Sequence, residues 1–480
     1  MPKLPLVEGI IKYIKENNVS FSMPGHKGGS GFLSTEIGKD LYKNFLKADI
    51  TEVDGVDNLH KPEGIIKESL QLLSEFYGSK KSYFLVNGST SGNLAMIFSC
   101  FKEGDKVIVE RNCHRSIFNA IIMRKLEPVY IRNKISSKYN APMSIDMEHF
   151  LRIICENRDA KGIIITYPNY YGICTDLEFI ISEAKKYNML VLVDSAHGAH
   201  FGVHKSLPES ALKLGADMVV MSSHKTLPSL TQTAYLHVGA NIDIEKVDFY
   251  VSSFLSTSPS YMLMCSMDYG RYYLEEYGAY AYEVLLERAN RYRKKLNKFT
   301  WLHVLNEEDI KNEVSILQKK FYMLDLSRFV INVKKGYSGI KLLDYLKSNK
   351  IQCEMSDLSN VVLIFSPFNS EEDFKCLYEA LEKCNPENIK DKTVNLKNIY
   401  IPKTKFLPWQ ALEKHKYTVN LNEAEGKVCG KQVVPYPPGV PLLNIGEIID
   451  SEVIDMIRYY LQNGITVLGI EEHKITVMEE

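Results

Sequence analysis

From about residue 80 to residue 240, short apolar runs alternate with longer mixed stretches. "SYFLV" (82–86), "KVIVE" (106–110), "PVYI" (128–131), "GIIIT" (162–166), "MLVLV" (189–193), "MVVM" (218–221) and "AYLHV" (234–238) read as buried strands. Most gaps between them are long enough for a crossover helix, so the alternation predicts a mainly parallel, doubly wound α/β sheet. Upstream, Leu6, Ile10 and Ile14, with Val7 and Ile11, trace one face of a short amphipathic helix. Downstream, the charged helical stretch "EVLLERANRYRKKLNKF" closes the first unit near residue 290. "RFVINV", the helix-like "SGIKLLDYLKSNK" and "VVLIFSPF" then predict a smaller α+β unit. The polar "NPENIKDKTVNLKN" (385–398) reads as a linker, and "PYPPGVPLLNIGE" (435–447) is a proline-rich turn ending in a glutamate. The expected division is 1–290, 291–384 and 385–480.

Composition narrows the function classes. The 480 residues are 45% apolar and 24% charged, as in an ordinary soluble globular protein. With 58 basic and 59 acidic side chains, the formal net charge of −1 gives no general attraction to nucleic acid. No apolar run reaches the roughly 18–20 residues of a membrane span, and the N-terminus lacks the apolar core of a signal peptide. Nine scattered cysteines without a CxxC pair fit reduced thiols, so a cytoplasmic setting is expected.

In open parallel sheets ligands bind at the carboxyl ends of the strands, so the residues following each strand carry the chemistry. After "FLV" comes "NGSTSGN" (87–93) and an apolar helix. Gly88, Ser89, Thr90 and Ser91 could cradle a phosphate at the helix start, or simply cap an ordinary helix. No GK[ST] follows, so this is not a nucleotide-hydrolysing P-loop. "DSAHGAHFGVH" (194–204) puts Asp194 at a strand end and spaces His197, His200 and His204 by three and four. That spacing also fits a metal site, but two glycines interrupt it and no further shell is evident, so no metal is expected.

The pentapeptide "SSHKT" (222–226) then places Lys225 after the next strand. A lysine, an aspartate and a phosphate cradle at one sheet edge suit pyridoxal 5'-phosphate. The lysine would form a Schiff base with the aldehyde, and Asp194 would pair with the protonated pyridine nitrogen. His114, in "RNCHRS", could stack on the ring or be an ordinary loop histidine. Ser222 and His224 could donate to the phosphate or satisfy the turn.

The chain resembles the ornithine/lysine/arginine decarboxylase family of fold-type-I pyridoxal-phosphate enzymes, particularly its short bacterial members. "MPGHKGG" (23–29), "DITEVDGVDNLHKPEG" (49–64), "NGSTSGN", "RNCHRS", "YPNYYGICTDL" (167–177), "DSAHGAH", "SSHKTLPSLTQTAYL" (222–236), "STSPSY" (256–261) and the final proline-rich turn carry the likeness. It implies that Lys225 is the Schiff-base lysine, Asp194 the pyridine partner and His114 the stacking imidazole. Ser89, Thr90, Ser222 and His224 become phosphate ligands, Ala196 a small residue under the ring, and His197 a neighbour of the carboxylate. Thr257 matches a hydroxyl that reaches the partner subunit's phosphate, which implies a homodimer with shared active sites. Glu447 matches a glutamate near the substrate pocket.

The expected reaction is decarboxylation of a basic amino acid, arginine first, then lysine or ornithine, to a polyamine-precursor amine. Lys225 or His224 would return the proton to Cα. A cationic substrate needs an anionic pocket, for which Glu52, Asp54, Asp57 and Glu447 are candidates. Two departures stand near that pocket, Ser195 where many relatives are acidic and Ile445 where a proline is usual. The alternatives are another fold-type-I reaction, such as transamination or β-elimination, and a drifted family member that only binds the cofactor. "MPGHKGG" and the terminal turn favour decarboxylation. Retention of Lys225, Asp194 and His114 argues against loss of activity, and no helix-turn-helix or basic tail points to DNA.

Overall fold

The computed structural model describes residues 4–479 except 240, 312–321, 393, 397–399 and 437–438. The chain opens with the expected amphipathic helix, α1 (Pro5–Glu16), but its apolar face is not covered by its own chain: Leu6 is 76% and Ile14 65% exposed. The following short strand Val19–Phe21 pairs in parallel with Ile351–Cys353, which ties the start of the chain to the smaller unit.

The main sheet follows the predicted runs closely. Its elements are β1 (Lys81–Leu85), α2 (Gly88–Cys100), β2 (Lys106–Glu110), α3 (Arg115–Met123), β3 (Glu127–Ile131), β4 (Gly162–Thr166), β5 (Leu190–Asp194), β6 (Met218–Met221), the single-turn α4 (Ser223–Thr226) and β7 (Ala234–Val238). The strand order is β1-β7-β6-β5-β4-β2-β3. Strands β6, β5, β4, β2 and β3 run parallel, and β7 is antiparallel to both β6 and β1. Two reversals cancel, so β1 points the same way as β6. The carboxyl ends of β1, β2, β4, β5 and β6 therefore share one edge. Covered on both faces, these strands need apolar side chains in both directions, which is why the sequence shows unbroken apolar runs rather than alternation.

A long helix, α5 (Tyr261–Leu296), leads to the smaller unit. The expected boundary at 290/291 falls inside this helix, which continues to Leu296 before the chain turns. Four antiparallel strands follow: β8 (Leu302–Val304), β9 (Arg328–Val333), β10 (Met355–Ser356) and β11 (Asn360–Ile364), in the order β8-β9-β11-β10. Phe21, Phe329, Phe365 and Phe374 meet edge-on or tilted in its core, at centroid distances of 4.7 to 6.1 Å.

The last unit has its own apolar core, including Leu421, Val433, Leu443, Ile457 and Ile475. It pairs β12 (Lys416–Asn420) and β13 (Val428–Cys429) with β14 (Lys474–Met478), and adds α6 (Ser451–Gln462). The stretch expected to be a linker buries Ile389, Val394 and Leu396, and Asn140 Nδ2 donates to the Val394 carbonyl at 2.8 Å. Its residues 393, 397 and 398 lie outside the described residues, as do 437 and 438 of the proline-rich turn. No helix among the described residues is long and apolar enough to cross a membrane.

Candidate active site

Residues from five strand ends and two neighbouring segments meet at the common edge. Asp194 closes β5 and is 2% exposed. Its Oδ2 accepts from Asn93 Nδ2 at 2.8 Å and its Oδ1 from the Ala196 N–H at 3.1 Å, so the carboxylate has fixed partners on both oxygens. Parallel pairing sets Val220 beside Asp194, and one turn beyond the end of β6 lies Lys225 in α4. Lys225 Nζ is 3.0 Å from His197 Nε2.

Burial pushes the Lys225 amine below the ordinary lysine range, against the pull of Asp194 and Glu354 towards the charged form. Burial also drives His197 well below its ordinary value, and the nearby Lys225 and Arg328 add to this. The imidazole is therefore neutral, and its Nδ1 is buried without a hydrogen-bond partner among the described residues. The Tyr170 ring meets His197 edge-on at 4.7 Å.

The cradle forms at the start of α2. Gly88 adopts φ +74°, a left-handed conformation that a side chain resists. The leading N–H groups of a helix lack intrahelical acceptors and favour an anion. Ser222 Oγ donates to Ser89 Oγ at 3.0 Å, which brings the two hydroxyls together across the sheet edge. Thr90 is exposed in the first turn, whereas Ser91 is buried and donates to the Gly88 carbonyl at 2.8 Å, so its hydroxyl closes the turn. His224 Nδ1 is 2.8 Å from the Thr233 carbonyl, and the His224 carbonyl accepts from the Gly25 N–H at 2.7 Å. A Cβ at Gly25 would stand 2.6 Å from the Leu227 carbonyl oxygen. This close approach is the physical demand behind the glycine of "MPGHKGG".

His114 is the N-cap of α3, close enough to Asp194 and Lys225 to feel the charge of both. Its Nδ1 lies 2.8 Å from Ser116 Oγ, which accepts from Asn93 Nδ2 at 2.8 Å. The three regularly spaced histidines do not converge: His197 meets Lys225, His200 lies 3.3 Å from Asp325 Oδ1, and His204 Nδ1 accepts from the Ser206 N–H.

Two of the expected substrate carboxylates, Asp57 and Glu447, have partners within the chain. Asp57 accepts from the backbone N–H groups of Asn58, Glu63, Gly64, Ile66 and Lys67, and caps the helix Ile65–Tyr77. Glu447 is 1% exposed and forms a bidentate ion pair with Arg111, while its Oε2 also accepts from the Asn444 N–H at 2.7 Å. Arg111 further donates to the Pro441 and Leu442 carbonyls, both at 3.1 Å. Its partners fasten the terminal turn to the end of β2, so Glu447 neutralises an arginine of its own chain. Asp54 is exposed on its loop. The carboxylate whose field reaches Lys225 from the smaller unit is Glu354. It accepts from the Tyr170 hydroxyl at 2.7 Å and from the Met23 N–H at 2.9 Å.

Ser195 is fully buried and donates to the Tyr167 carbonyl at 2.6 Å, a job that its hydroxyl does without charge. Ile445 packs with Ala411, Val428 and Met478. Thr257 is exposed, next to Ser256, whose carbonyl lies 2.8 Å from His60 Nε2. Sequence reasoning passed over Asn93, Ser116 and Arg111, although all three stand inside quoted motifs. Tyr170 stands in another, and Glu354 has no local signal at all.

These residues fit pyridoxal phosphate. A buried amine held towards its neutral form, a buried carboxylate with fixed donors and a hydroxyl-lined helix start are the donor set that its aldehyde, pyridine nitrogen and phosphate require. Residues 4–373 match the major domain of the Orn/Lys/Arg decarboxylases, and residues 400–465 match their C-terminal domain. The arginine decarboxylase of Bacillus subtilis is 33% identical over 486 residues, covering 99% of this chain and 98% of the relative. The structure of the lysine decarboxylase of Francisella novicida gives a TM-score of 0.79 at 20% identity, covering 99% of this chain and 81% of that one. The L-threonine transaldolase of Pseudomonas fluorescens gives 0.58 at 14% identity, covering 79% and 88%. Fold and cleft define a fold-type-I pyridoxal-phosphate enzyme. The chain belongs to the Orn/Lys/Arg decarboxylase family and is a decarboxylase of basic amino acids.

Proposed function

We propose that the enzyme decarboxylates arginine in preference to lysine and ornithine, giving the corresponding polyamine-precursor amine and carbon dioxide. The observation that carries the reading is the convergence of Lys225, Asp194 and the Ser89–Ser222 hydroxyl pair on one sheet edge, in a chain one-third identical to an arginine decarboxylase over nearly its whole length. When bound, pyridoxal phosphate supplies an aldehyde for the substrate amine and an electron sink for the broken bond. Asp194 would pair with the pyridine nitrogen, with Asn93 and the Ala196 N–H preserving its orientation. Ser89, Thr90, Ser222 and the N–H groups of α2 would hold the phosphate.

Burial opposes the charged form of Lys225 too, but Asp194 and Glu354 pull it back towards the ammonium, so Lys225 would be the better proton donor to Cα. His224, bonded to the Thr233 carbonyl through Nδ1, has a bare Nε2 when neutral, and burial opposes its cation. Glu354 is the carboxylate that meets the substrate's cationic side chain. It is half-buried, and among the described residues its hydrogen-bond donors are the neutral Tyr170 hydroxyl and Met23 N–H.

The functional unit is a homodimer. The uncovered apolar face of α1 and the exposed Thr257 support a partner surface and a hydroxyl offered to the partner's cofactor. The test is to incubate purified protein and pyridoxal phosphate separately with arginine, lysine and ornithine, following carbon dioxide and identifying the amine. Amine and carbon dioxide from arginine at the highest kcat/KM are expected. Keto acid without carbon dioxide would overturn the reading.

A further inference from the structure

The Asp194 carboxylate and the His114 imidazole stand on different strand ends, yet two neutral side chains join them. Asn93 Nδ2 donates one hydrogen to Asp194 Oδ2 and the other to Ser116 Oγ, both at 2.8 Å. The reversed amide would set its oxygen against the carboxylate, so this orientation is fixed by electrostatics. With Ser116 Oγ occupied as an acceptor, its own hydrogen is free to point at His114 Nδ1, 2.8 Å away. The Ser116 backbone N–H donates to the same nitrogen at 3.2 Å. Two hydrogens aimed at Nδ1 leave no room for a third, so the imidazole carries its proton on Nε2. Nε2 itself has no hydrogen-bond partner among the described residues.

We propose that Asn93 and Ser116 are positioning residues that lock His114 as a neutral imidazole with its proton on Nε2. Making the cation would put a proton on Nδ1 against the first N–H groups of α3, where the helix dipole also disfavours positive charge. The groups facing this ring are Asp194, Lys225, Arg115 and His197. Burial lowers the affinity of His114 for a second proton, Asp194 opposes that, and Lys225 and Arg115 reinforce it. The result is a fixed donor at Nε2 over a ring face that never competes with Lys225 for charge. The proposal rests on reading His114 as the imidazole that faces the cofactor.

The experiment uses full-length protein labelled with 15N-histidine, with and without pyridoxal phosphate, and a His114→Gln spectrum to assign the signal. The wild type should show Nδ1 unprotonated and Nε2 protonated at neutral pH. Ser116→Ala should shift population towards the other tautomer and raise the titration midpoint by about one unit, a tenfold change in the protonation equilibrium. Ser116→Thr, which keeps the hydroxyl, should restore both. The acid limb of kcat/KM should move with the midpoint. An Nδ1–H tautomer in the wild type, or an unchanged tautomer and midpoint in a folded Ser116→Ala protein, would overturn the proposal. Failure to release carbon dioxide from any basic amino acid would instead count against the proposed function and leave the tautomer result standing.

Discussion

Lys225 Nζ lies 3.0 Å from Nε2 of His197, an imidazole that burial keeps neutral. A neutral neighbour neither repels the ammonium nor traps it as an ion pair, so the amine stays free to exchange its proton. Lys225→Ala should therefore remove the cofactor's visible absorbance band and reduce turnover on the order of 10^4-fold, the upper range for loss of a positioned acid–base group. Thermal melting of the apoprotein should change little. Near-normal turnover in this variant would remove the central claim.

Glu354 offers a test of how the substrate's charge is met. In Glu354→Gln the amide oxygen still accepts from the Met23 N–H and the amide nitrogen donates to the Tyr170 hydroxyl, so the local geometry is kept. KM for arginine should rise about tenfold to a hundredfold, the worth of a hydrogen bond to a charged group, with kcat largely preserved. Steady-state kinetics with each basic amino acid would read this out. An equal loss in kcat with KM unchanged would assign Glu354 a different task.

The Arg111–Glu447 pair is almost wholly removed from solvent, and its partners lie 336 residues apart in the sequence. Arg111→Met or Glu447→Gln alone leaves one buried group unmatched and should cost roughly 3–5 kcal/mol in urea unfolding. The double variant Arg111→Met/Glu447→Leu should be destabilised by clearly less than the sum. Additive losses would show that the two side chains act independently.

Asp57 links acid stability to one loop. Burial works against its ionised form, but the N–H groups of Glu63, Asn58, Gly64 and Lys67 hold the carboxyl down to about 2. Because the folded value is depressed, its contribution is present in full above the unfolded carboxyl value and is lost as pH falls through the folded one. Asp57→Ala should destabilise the protein by about 1–2 kcal/mol at neutral pH, as expected for a lost cap. That gap should close as pH falls from about 4 to about 2. Parallel melting curves at all pH values would contradict this role.

Thr257 distinguishes a shared site from a private one. Alone, Thr257→Ala should weaken cofactor retention on dilution. Mixed with Lys225→Ala subunits, it should regain activity, because one site of each hybrid dimer would then carry both native residues. No recovery after confirmed subunit exchange would place Thr257 on its own subunit's cofactor.

The strands were legible because each is a local demand. A strand buried on both faces needs an unbroken apolar run, and "GIIIT", "KVIVE" and "MVVM" therefore mark β4, β2 and β6 residue for residue. Lys225 and Asp194 could be read because parallel strands deliver their carboxyl ends to one edge whatever the details of packing. The partners of those groups were not legible. A carboxylate's role depends on which donors reach it in space, and nothing in "DGVD" or "NIGE" says that Asp57 meets five backbone N–H groups or that Glu447 meets Arg111 across more than three hundred residues. The sequence thus determined the sheet and pointed to the cofactor, and its likeness to the family supplied the class of reaction. The tertiary structure decided that Asp57 and Glu447 are matched within the chain, because electrostatic pairing acts through distance in space and leaves no periodic trace along the chain.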